Sequence, residues 1–269
     1  MKIGLISDSL RLDFKSSVVK AASLGVTGIQ KYLTGGEFDP YDMSKDRIKE
    51  IKDIMDSNGL VFSAICGDMG IDFDNVEHHD MIVNKSKKIL DVAKELGCNI
   101  VTTHIGHIVD EESERMDLIR KTATELAVYA DNIGSYFAAE TGTEKAPVLK
   151  RFLDSLGAKG LRVNYDPANL VMVAKDDPVA GVYELKDYIV HTHAKDGIVT
   201  TANQWGWLEV PLGQGGVDFD NYLKALNDIG YTGYLTIERE VGDTPADDIL
   251  LAYNFLEEKL AKLNIPYVK

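Results

Sequence analysis

The sequence is poor in cysteine, in clustered cations and in long apolar runs, and each shortage excludes a class of protein. The two cysteines, Cys66 and Cys98, form no CxxC pair, so we predict buried free thiols in a reducing compartment. The net charge of −14, without a basic stripe, argues against partners such as nucleic acid and anionic membrane surfaces. No apolar run approaches the ~20 residues of a membrane span, and Asp8 comes too early for a signal peptide. We therefore expect a soluble cytoplasmic protein.

Two nucleotide-binding motifs are also missing. The turn after the first apolar run reads Ser7-Asp8-Ser9-Leu10, where a dinucleotide-binding open sheet would carry GxGxxG. The glycine-rich segment 213–216 is not followed by Lys-Ser or Lys-Thr, so a Walker-type phosphate site is not expected.

Eight short apolar runs alternate with eight longer amphipathic segments. Several of these segments end in glycine just before the next run, as at Gly25, Gly59 and Gly97, which is typical of a helix that stops ahead of a strand. Eight strand–helix pairs match an α/β protein of the (β/α)8 TIM barrel type, which needs ~250 residues. We predict one such domain over residues 1–269, with the long connection 198–217 as a functional loop. The predicted strands are 3–7, 28–33, 61–66, 100–104, 136–140, 161–166, 188–193 and 234–238.

Four successive predicted strands end in a carboxylate or an imidazole. The carboxyl ends of barrel strands meet at one face, where active sites lie. Three carboxylates converging there would repel one another unless a divalent cation lay between them. Such a donor set suits Mn²⁺, which we expect first, or Mg²⁺, Co²⁺ or Zn²⁺, with positions left for substrate oxygens. The four candidate ligands are Glu140, Asp166, His193 and Glu238, which are 26, 27 and 45 residues apart.

The alternation of side chains along a strand predicts a second layer beneath these ligands. Residues two apart in a strand point the same way. His191 therefore shares a face with His193 one layer deeper, and we expect it to be a supporting or core histidine rather than a ligand. The same reasoning places Ala138, Asn164 and Thr236 in that layer, and Ala139, Tyr165 and Ile237 against the helices.

At these motifs the chain resembles the sugar phosphate isomerase/epimerase group of the xylose-isomerase-like TIM-barrel superfamily, whose fold is shared with endonuclease IV. The resemblance covers essentially the whole chain and rests on segments 139–142, 164–169, 191–197, 213–215 and 235–240. It implies that Glu140, Asp166, His193 and Glu238 bind one divalent metal ion. It also implies that Glu140 and Glu238 serve as catalytic acid and base on opposite faces of the substrate, and that the chain forms a homo-oligomer.

The chemistry implied by the resemblance is proton transfer at a carbon beside a carbonyl. A glutamate removes the proton, and the metal stabilises the enediolate that forms. Returning the proton to the opposite face gives an epimerase, returning it to the neighbouring carbon gives an isomerase, and losing a leaving group gives a lyase. We expect an isomerase or epimerase of a small sugar, keto-sugar or cyclitol. The alternatives are a keto-inositol dehydratase or 3-keto-glycoside eliminase and, in another class, a non-catalytic sugar- or metal-binding protein; the charge and the few histidines disfavour an endonuclease-IV-like enzyme.

Two positions depart from many ketose 3-epimerases of the group. Asn169 stands three residues after the aspartate ligand in place of a histidine, and Val199 stands six after the metal histidine in place of an arginine. These two departures weaken the assignment of the chain as a ketose 3-epimerase. Asn169 remains a candidate substrate-binding residue.

Several other residues are candidates for the site. Lys195 shares the strand-seven face with His193 and could reach a substrate oxygen, move a proton, or only form a salt bridge at the rim. His104 closes the fourth strand as a candidate catalytic residue, with His107 nearby as a substrate contact. In the long connection, Trp207 and Gln214 are candidates for a wall over a sugar ring, since apolar ring faces stack on aromatic side chains. Packing of that connection onto its own barrel is the alternative.

Overall fold

The computed structural model describes residues 1–268, and its strands form a closed parallel barrel. Each barrel strand pairs in parallel with its neighbours in chain order, and the last strand closes onto the first through the pair Leu5 and Ile237. This confirms the predicted (β/α)8 fold. The barrel strands are β1 (Lys2–Ile6), β2 (Gly28–Tyr32), β3 (Val61–Cys66), β4 (Ile100–Thr103), β5 (Tyr136–Glu140), β6 (Leu161–Tyr165), β7 (Ile189–Ala194) and β10 (Tyr234–Ile237).

Helices cover the outside of the barrel, and local signals set where they begin and end. The Ser44 and Ser113 side chains accept backbone N–H groups at two helix starts, and Gly25 adopts a left-handed φ of 90° at a helix end. Within residues 1–268, no helix is both long enough and apolar enough to cross a membrane. The helices are α1 (Phe14–Leu24), α2 (Lys45–Ser57), α3 (His79–Glu95), α4 (Glu114–Ile133), α5 (Ala146–Ser155), the single turn α6 (Pro167–Asn169), α7 (Pro178–Glu184), α8 (Phe219–Asp228) and α9 (Pro245–Lys262).

The apolar core lies between the barrel and its helices. Tyr165, which the alternation pattern directs outward, is fully buried and donates its hydroxyl proton to the Pro178 carbonyl at the start of α7. Both cysteines are free and buried, as the composition predicts. Burial raises the pKa of the Cys66 thiol to about 12, which makes it a poor nucleophile.

The long connection after β7 is partly a β-hairpin and not only a loop. Strands β8 (Asp196–Val199) and β9 (Trp207–Val210) pair antiparallel, with Val199 opposite Trp207. The alternation within β9 buries Glu209 and leaves Leu208 exposed. The hairpin begins one residue after Lys195, so it stands at the carboxyl end of the barrel, where the candidate ligands lie.

Candidate active site

The carboxyl ends of β5, β6, β7 and β10 bring the four candidate ligands together. Glu140 closes β5, Asp166 directly follows β6, His193 lies in β7 and Glu238 directly follows β10. One ligand atom from each residue lies within 4.8 Å of all the others. His193 Nδ1 is 3.2 Å from Glu238 Oε2 and 3.6 Å from both Glu140 Oε1 and Asp166 Oδ2.

Two atoms of this cluster are buried without a hydrogen-bond partner. They are Asp166 Oδ2 and His193 Nδ1. The other oxygen of Asp166, Oδ1, accepts the backbone N–H groups of Ala168 and Asn169 at 2.8 and 3.0 Å, which holds Oδ2 towards the cluster. A buried polar atom without a partner costs ~1–3 kcal/mol. A divalent cation accepts both oxygen and imidazole ligands, so these residues fit a metal ion and could hold one.

The charges in the cluster favour a cation at its centre. Burial alone would raise the pKa of Glu140 and Glu238, but the neighbouring cationic groups hold both pKa values below their usual range. For Glu140 these groups are His193 and His104, and for Glu238 they are Lys195 and His193. Conversely, burial lowers the pKa of His193, but the two glutamates outweigh it and raise that pKa well above its usual value. A metal ion bound here would take the place of the Nδ1 proton.

The layer beneath the ligands is a hydrogen-bond network centred on His191. Its Nδ1 lies 2.8 Å from Asn164 Oδ1, and its Nε2 lies 2.9 Å from Thr236 Oγ1. Because an amide oxygen only accepts, Nδ1 carries the proton and Nε2 accepts from the threonine. Asn164 Nδ2 then donates to Glu140 Oε2 at 3.0 Å. Burial holds the pKa of His191 well below its usual value, so this histidine is neutral. It supports the candidate ligand Glu140 through Asn164.

A cavity of about 240 Å³ borders the cluster. It is lined by four of the residues that the sequence suggests for substrate or catalysis, and by three of the four candidate ligands. The four are Lys195, His104, Asn169 and Trp207. The lining residues are Gln30, Tyr32, Cys66, Asp68, Thr103, His104, Glu140, Asn169, His193, Lys195, Trp207, Glu238 and Glu240.

His104 and Asn169 both contact Glu140. His104 Nε2 is 3.6 Å from Glu140 Oε1, and His104 Nδ1 is 2.7 Å from Asp68 Oδ2. The negative charge of Glu140 is the main cause that raises the pKa of His104, to about 10. Asn169 Nδ2 donates to the same Glu140 Oε1 at 3.0 Å. Asn169, which stands where many ketose 3-epimerases have a histidine, therefore makes a polar contact with Glu140.

Lys195 both lines the cavity and takes part in buried salt bridges. Its side chain is only 5% exposed, and Nζ lies 3.1 Å from Glu238 Oε2 and 2.5 Å from Glu240 Oε2. Glu209, from the hairpin, lies 3.9 Å away and accepts from Arg239 Nη1 at 2.7 Å. The structure therefore shows the salt bridges of Lys195, and its contact with a substrate oxygen stays a prediction.

Two sequence candidates lie away from the cavity. The His107 side chain is exposed, and its backbone carbonyl accepts from Arg115. Gln214 is also exposed, on a turn held by Asp196. Val199 is exposed in the hairpin. The structure gives none of these three a contact with the cluster.

The sequence pattern does not single out several residues that line the cavity. Gln30 and Tyr32 lie at the end of β2, and Cys66 and Asp68 lie at the end of β3. The signal that selected the ligands, a polar residue closing a barrel strand, is also present at these ends. Glu240 follows Glu238 at spacing two and shares its direction.

A closed parallel barrel with a carboxylate–imidazole cluster at its carboxyl ends defines a TIM barrel with a candidate metal centre. The family model of the xylose isomerase-like TIM barrel matches residues 18–259. The chain belongs to this family.

The chain is similar to a curated protein and to solved structures whose names refer to different reactions. An inosose dehydratase of Lacticaseibacillus casei is 23% identical, over 71% of this chain and 70% of its own length. A xylose isomerase domain protein from Planctomyces limnophilus is 26% identical, with a TM-score of 0.82 over 92% of both chains. A D-tagatose 3-epimerase-like protein is 20% identical, with a TM-score of 0.79 over 98% of both chains.

Proposed function

We propose that the chain is a divalent-metal-dependent isomerase or epimerase of a small sugar, keto-sugar or cyclitol. The observation that carries the proposal is the pair of partnerless buried atoms, Asp166 Oδ2 and His193 Nδ1, which lie 3.6 Å apart. His193 Nδ1 also lies within 3.6 Å of an oxygen of Glu140 and of Glu238. Family membership and the similarity to an epimerase-like structure support it.

The metal would be held by Glu140, Asp166, His193 and Glu238, with Mn²⁺ as the proposed ion and Mg²⁺, Co²⁺ or Zn²⁺ as alternatives. When bound, it would draw electron density from a substrate carbonyl and so acidify the neighbouring C–H. The cavity is smaller than the ~300–1,000 Å³ of sites for drug-sized ligands, which suits a single sugar or cyclitol ring.

Proton movement is assigned to the side chains of the chain itself. Glu140 and Glu238 line the cavity and act as the base and the acid, and each has a cationic partner there. His104 Nε2 lies 3.6 Å from Glu140 Oε1, and Lys195 Nζ lies 3.1 Å from Glu238 Oε2. Each partner can stabilise its glutamate as a carboxylate or pass a proton to a substrate oxygen.

Substrate contacts are assigned to two further cavity residues. Asn169 Nδ2 donates to Glu140 Oε1 and to the Thr141 carbonyl, and its Oδ1 is available to accept a substrate hydroxyl. Trp207 offers an aromatic face to the apolar side of a ring. These two side chains would orient the reacting carbon towards the glutamates.

A lyase on the same site is the second candidate. The curated relative from Lacticaseibacillus casei is an inosose dehydratase, and the cavity contains two acids, Lys195 and His104, that can protonate a departing hydroxyl. The first steps of elimination and of epimerisation are the same proton abstraction.

Deuterium exchange separates these functions. The protein loaded with Mg²⁺ or Mn²⁺ is incubated in D₂O with D-fructose, D-tagatose, scyllo-inosose and a 3-keto-glucoside, and the substrates are examined by NMR after removal of protein and metal. Exchange with rearrangement supports an isomerase or epimerase, and loss of water or aglycone supports the lyase.

Two variants serve as controls in this experiment. Glu140→Gln should abolish exchange, whereas Glu111→Gln, at an exposed carboxylate, should leave it unchanged. Absence of exchange on every substrate by the unmodified protein contradicts both enzymatic assignments and leaves a binding protein.

A further inference from the structure

We propose that Gln30 is a positioning residue that fixes the imidazole of His193 in the tautomer required for metal binding. The inference rests on the proposed metal centre. Gln30 lies in β2, is 1% exposed, and its Oε1 is 3.2 Å from His193 Nε2. The other ring nitrogen, Nδ1, faces the three carboxylates. A ligating Nδ1 needs a lone pair, so the ring proton has to stay on Nε2.

The orientation of the Gln30 amide follows from its second contact. Gln30 Nε2 lies 3.2 Å from Thr102 Oγ1, and that hydroxyl donates to the Ile65 carbonyl at 3.5 Å. Because the hydroxyl has one proton, and that proton points at the carbonyl, its free lone pairs accept the amide N–H. The amide oxygen is therefore turned towards His193. The Ile65 carbonyl in β3 thus sets the donor-to-acceptor direction of a series of hydrogen bonds that ends at the His193 imidazole.

Two amides contact His193 Nε2, and they favour opposite tautomers. Asn164 Nδ2 is also 3.2 Å from this atom. The Asn164 amide presents its nitrogen because its oxygen faces His191 Nδ1. An N–H aimed at Nε2 favours a lone pair there and a proton on Nδ1, which blocks ligation. The acceptor of Gln30 opposes this and keeps the proton on Nε2.

Removing the Gln30 acceptor should therefore weaken metal binding without touching a ligand. Loss of a partner that orients a ligating histidine typically costs 10–100-fold in metal affinity. Gln30→Met keeps the length of the side chain and removes the amide. Thr102→Val frees the Gln30 amide to flip and should weaken binding in the same direction by a smaller factor. Gln30→Glu retains an oxygen acceptor and should keep affinity close to that of the unmodified protein.

The test is the Mn²⁺ dissociation constant measured by calorimetry, with the His193 tautomer read from ¹⁵N shifts of the Zn²⁺-loaded protein. We expect a 10–100-fold weaker constant for Gln30→Met. Ser63→Ala is the matched control, because the Ser63 hydroxyl is buried in the adjacent strand β3 and has no hydrogen-bond partner. It should leave the constant unchanged.

The outcomes separate this role from the metal centre itself. If the unmodified protein binds no divalent metal, both the centre and the role of Gln30 are refuted. If it binds, but Gln30→Met and Thr102→Val bind equally well, only the role of Gln30 is overturned. Should Gln30→Met fail to fold, Thr102→Val together with the tautomer measurement decides the question, and unchanged affinity with the proton on Nε2 in that variant contradicts the inference.

Discussion

Asp196 Oδ2 accepts the backbone N–H of Gly215 at 2.8 Å, and this contact fastens the long connection after β7 to the carboxyl end of the barrel. The same buried carboxylate also accepts the N–H groups of Gly197, Gly213 and Val217. Four donors on one carboxylate hold both ends of the hairpin connection in place. The position of Trp207 in the cavity wall depends on that connection.

Gly215→Ala should destabilise the protein. A Cβ at this position would lie 2.1 Å from Asp196 Oδ1, so the turn or the carboxylate has to move. We expect a loss of ~1–3 kcal/mol in the free energy of unfolding, typical of overpacking, measured by urea denaturation. Gly35→Ala is the control, since nothing lies within 4 Å of its added Cβ, and it should be close to neutral. Equal stability of the two variants would contradict the prediction.

Lys195→Met should lower the rate of deuterium exchange by roughly 10²–10⁴-fold, the usual contribution of a positioned acid or base. The substitution removes the ammonium group beside Glu238 and keeps the length of the side chain. Glu240→Gln tests the salt bridge separately, because it removes a partner of Lys195 and leaves the ammonium in the cavity. We expect that variant to retain most of the rate. A fully active Lys195→Met would show that the lysine is a salt-bridge residue only.

Trp207→Ala should raise KM about fivefold, which corresponds to ~1 kcal/mol of lost aromatic contact. The neighbouring tryptophan provides the comparison, since Trp205 is 68% exposed and does not line the cavity. Trp205→Ala should leave KM within error. The measurement is initial-rate kinetics on the substrate identified by exchange, and equal effects of the two substitutions would contradict a ring-stacking role.

Glu144 should make stability fall as pH rises. Burial raises the pKa of this carboxyl to about 7 from its usual 4.5. The hydroxyl of Thr143, the backbone N–H of Ile108 and the charge of His104 lower the pKa, but burial outweighs them. Between these two values the folded protein holds a proton that the unfolded chain has lost. The Glu144 contribution is therefore complete below about pH 4.5 and is lost by about pH 7, roughly 3 kcal/mol in all at 1.36 kcal/mol per unit.

Glu144→Gln should abolish this part of the pH dependence, because the amide stays neutral throughout. Unfolding free energies from urea titrations between pH 4.5 and 8 provide the measurement. Glu111→Gln, at an exposed carboxylate, should follow the unmodified protein. Parallel curves for Glu144→Gln and the unmodified protein would show that Glu144 is ionised in the fold.

Much of the fold and part of the site are readable in the sequence because their signals are local. The alternation of short apolar runs with amphipathic segments predicts the barrel, and the polar residue closing each strand selects Glu140, Asp166, His193 and Glu238. Strand alternation also separates His191 from His193. These inferences need only the period of a strand and the rule that barrel strands share a carboxyl face.

The hairpin and the neighbours of the ligands were not predictable in the same way. Segment 198–217 has the glycine content of a loop. The pairing of β8 with β9 depends on the position and direction of the backbone at the end of β7. His107 and Gln214 lie close in sequence to site residues, but the turns after each strand direct them to solvent. Beyond the end of a strand, closeness in sequence to a site residue does not predict that a side chain lies in the site.

The sequence by itself determined the barrel and the chemical identity of the candidate ligands, because strand period and strand ends are properties of a few consecutive residues. Only the tertiary structure decided which groups surround those ligands. Gln30 meets His193 across 163 residues of chain, and Glu209 approaches Lys195 only through the hairpin. Such contacts depend on barrel closure and side-chain direction, and these place distant segments within hydrogen-bond distance.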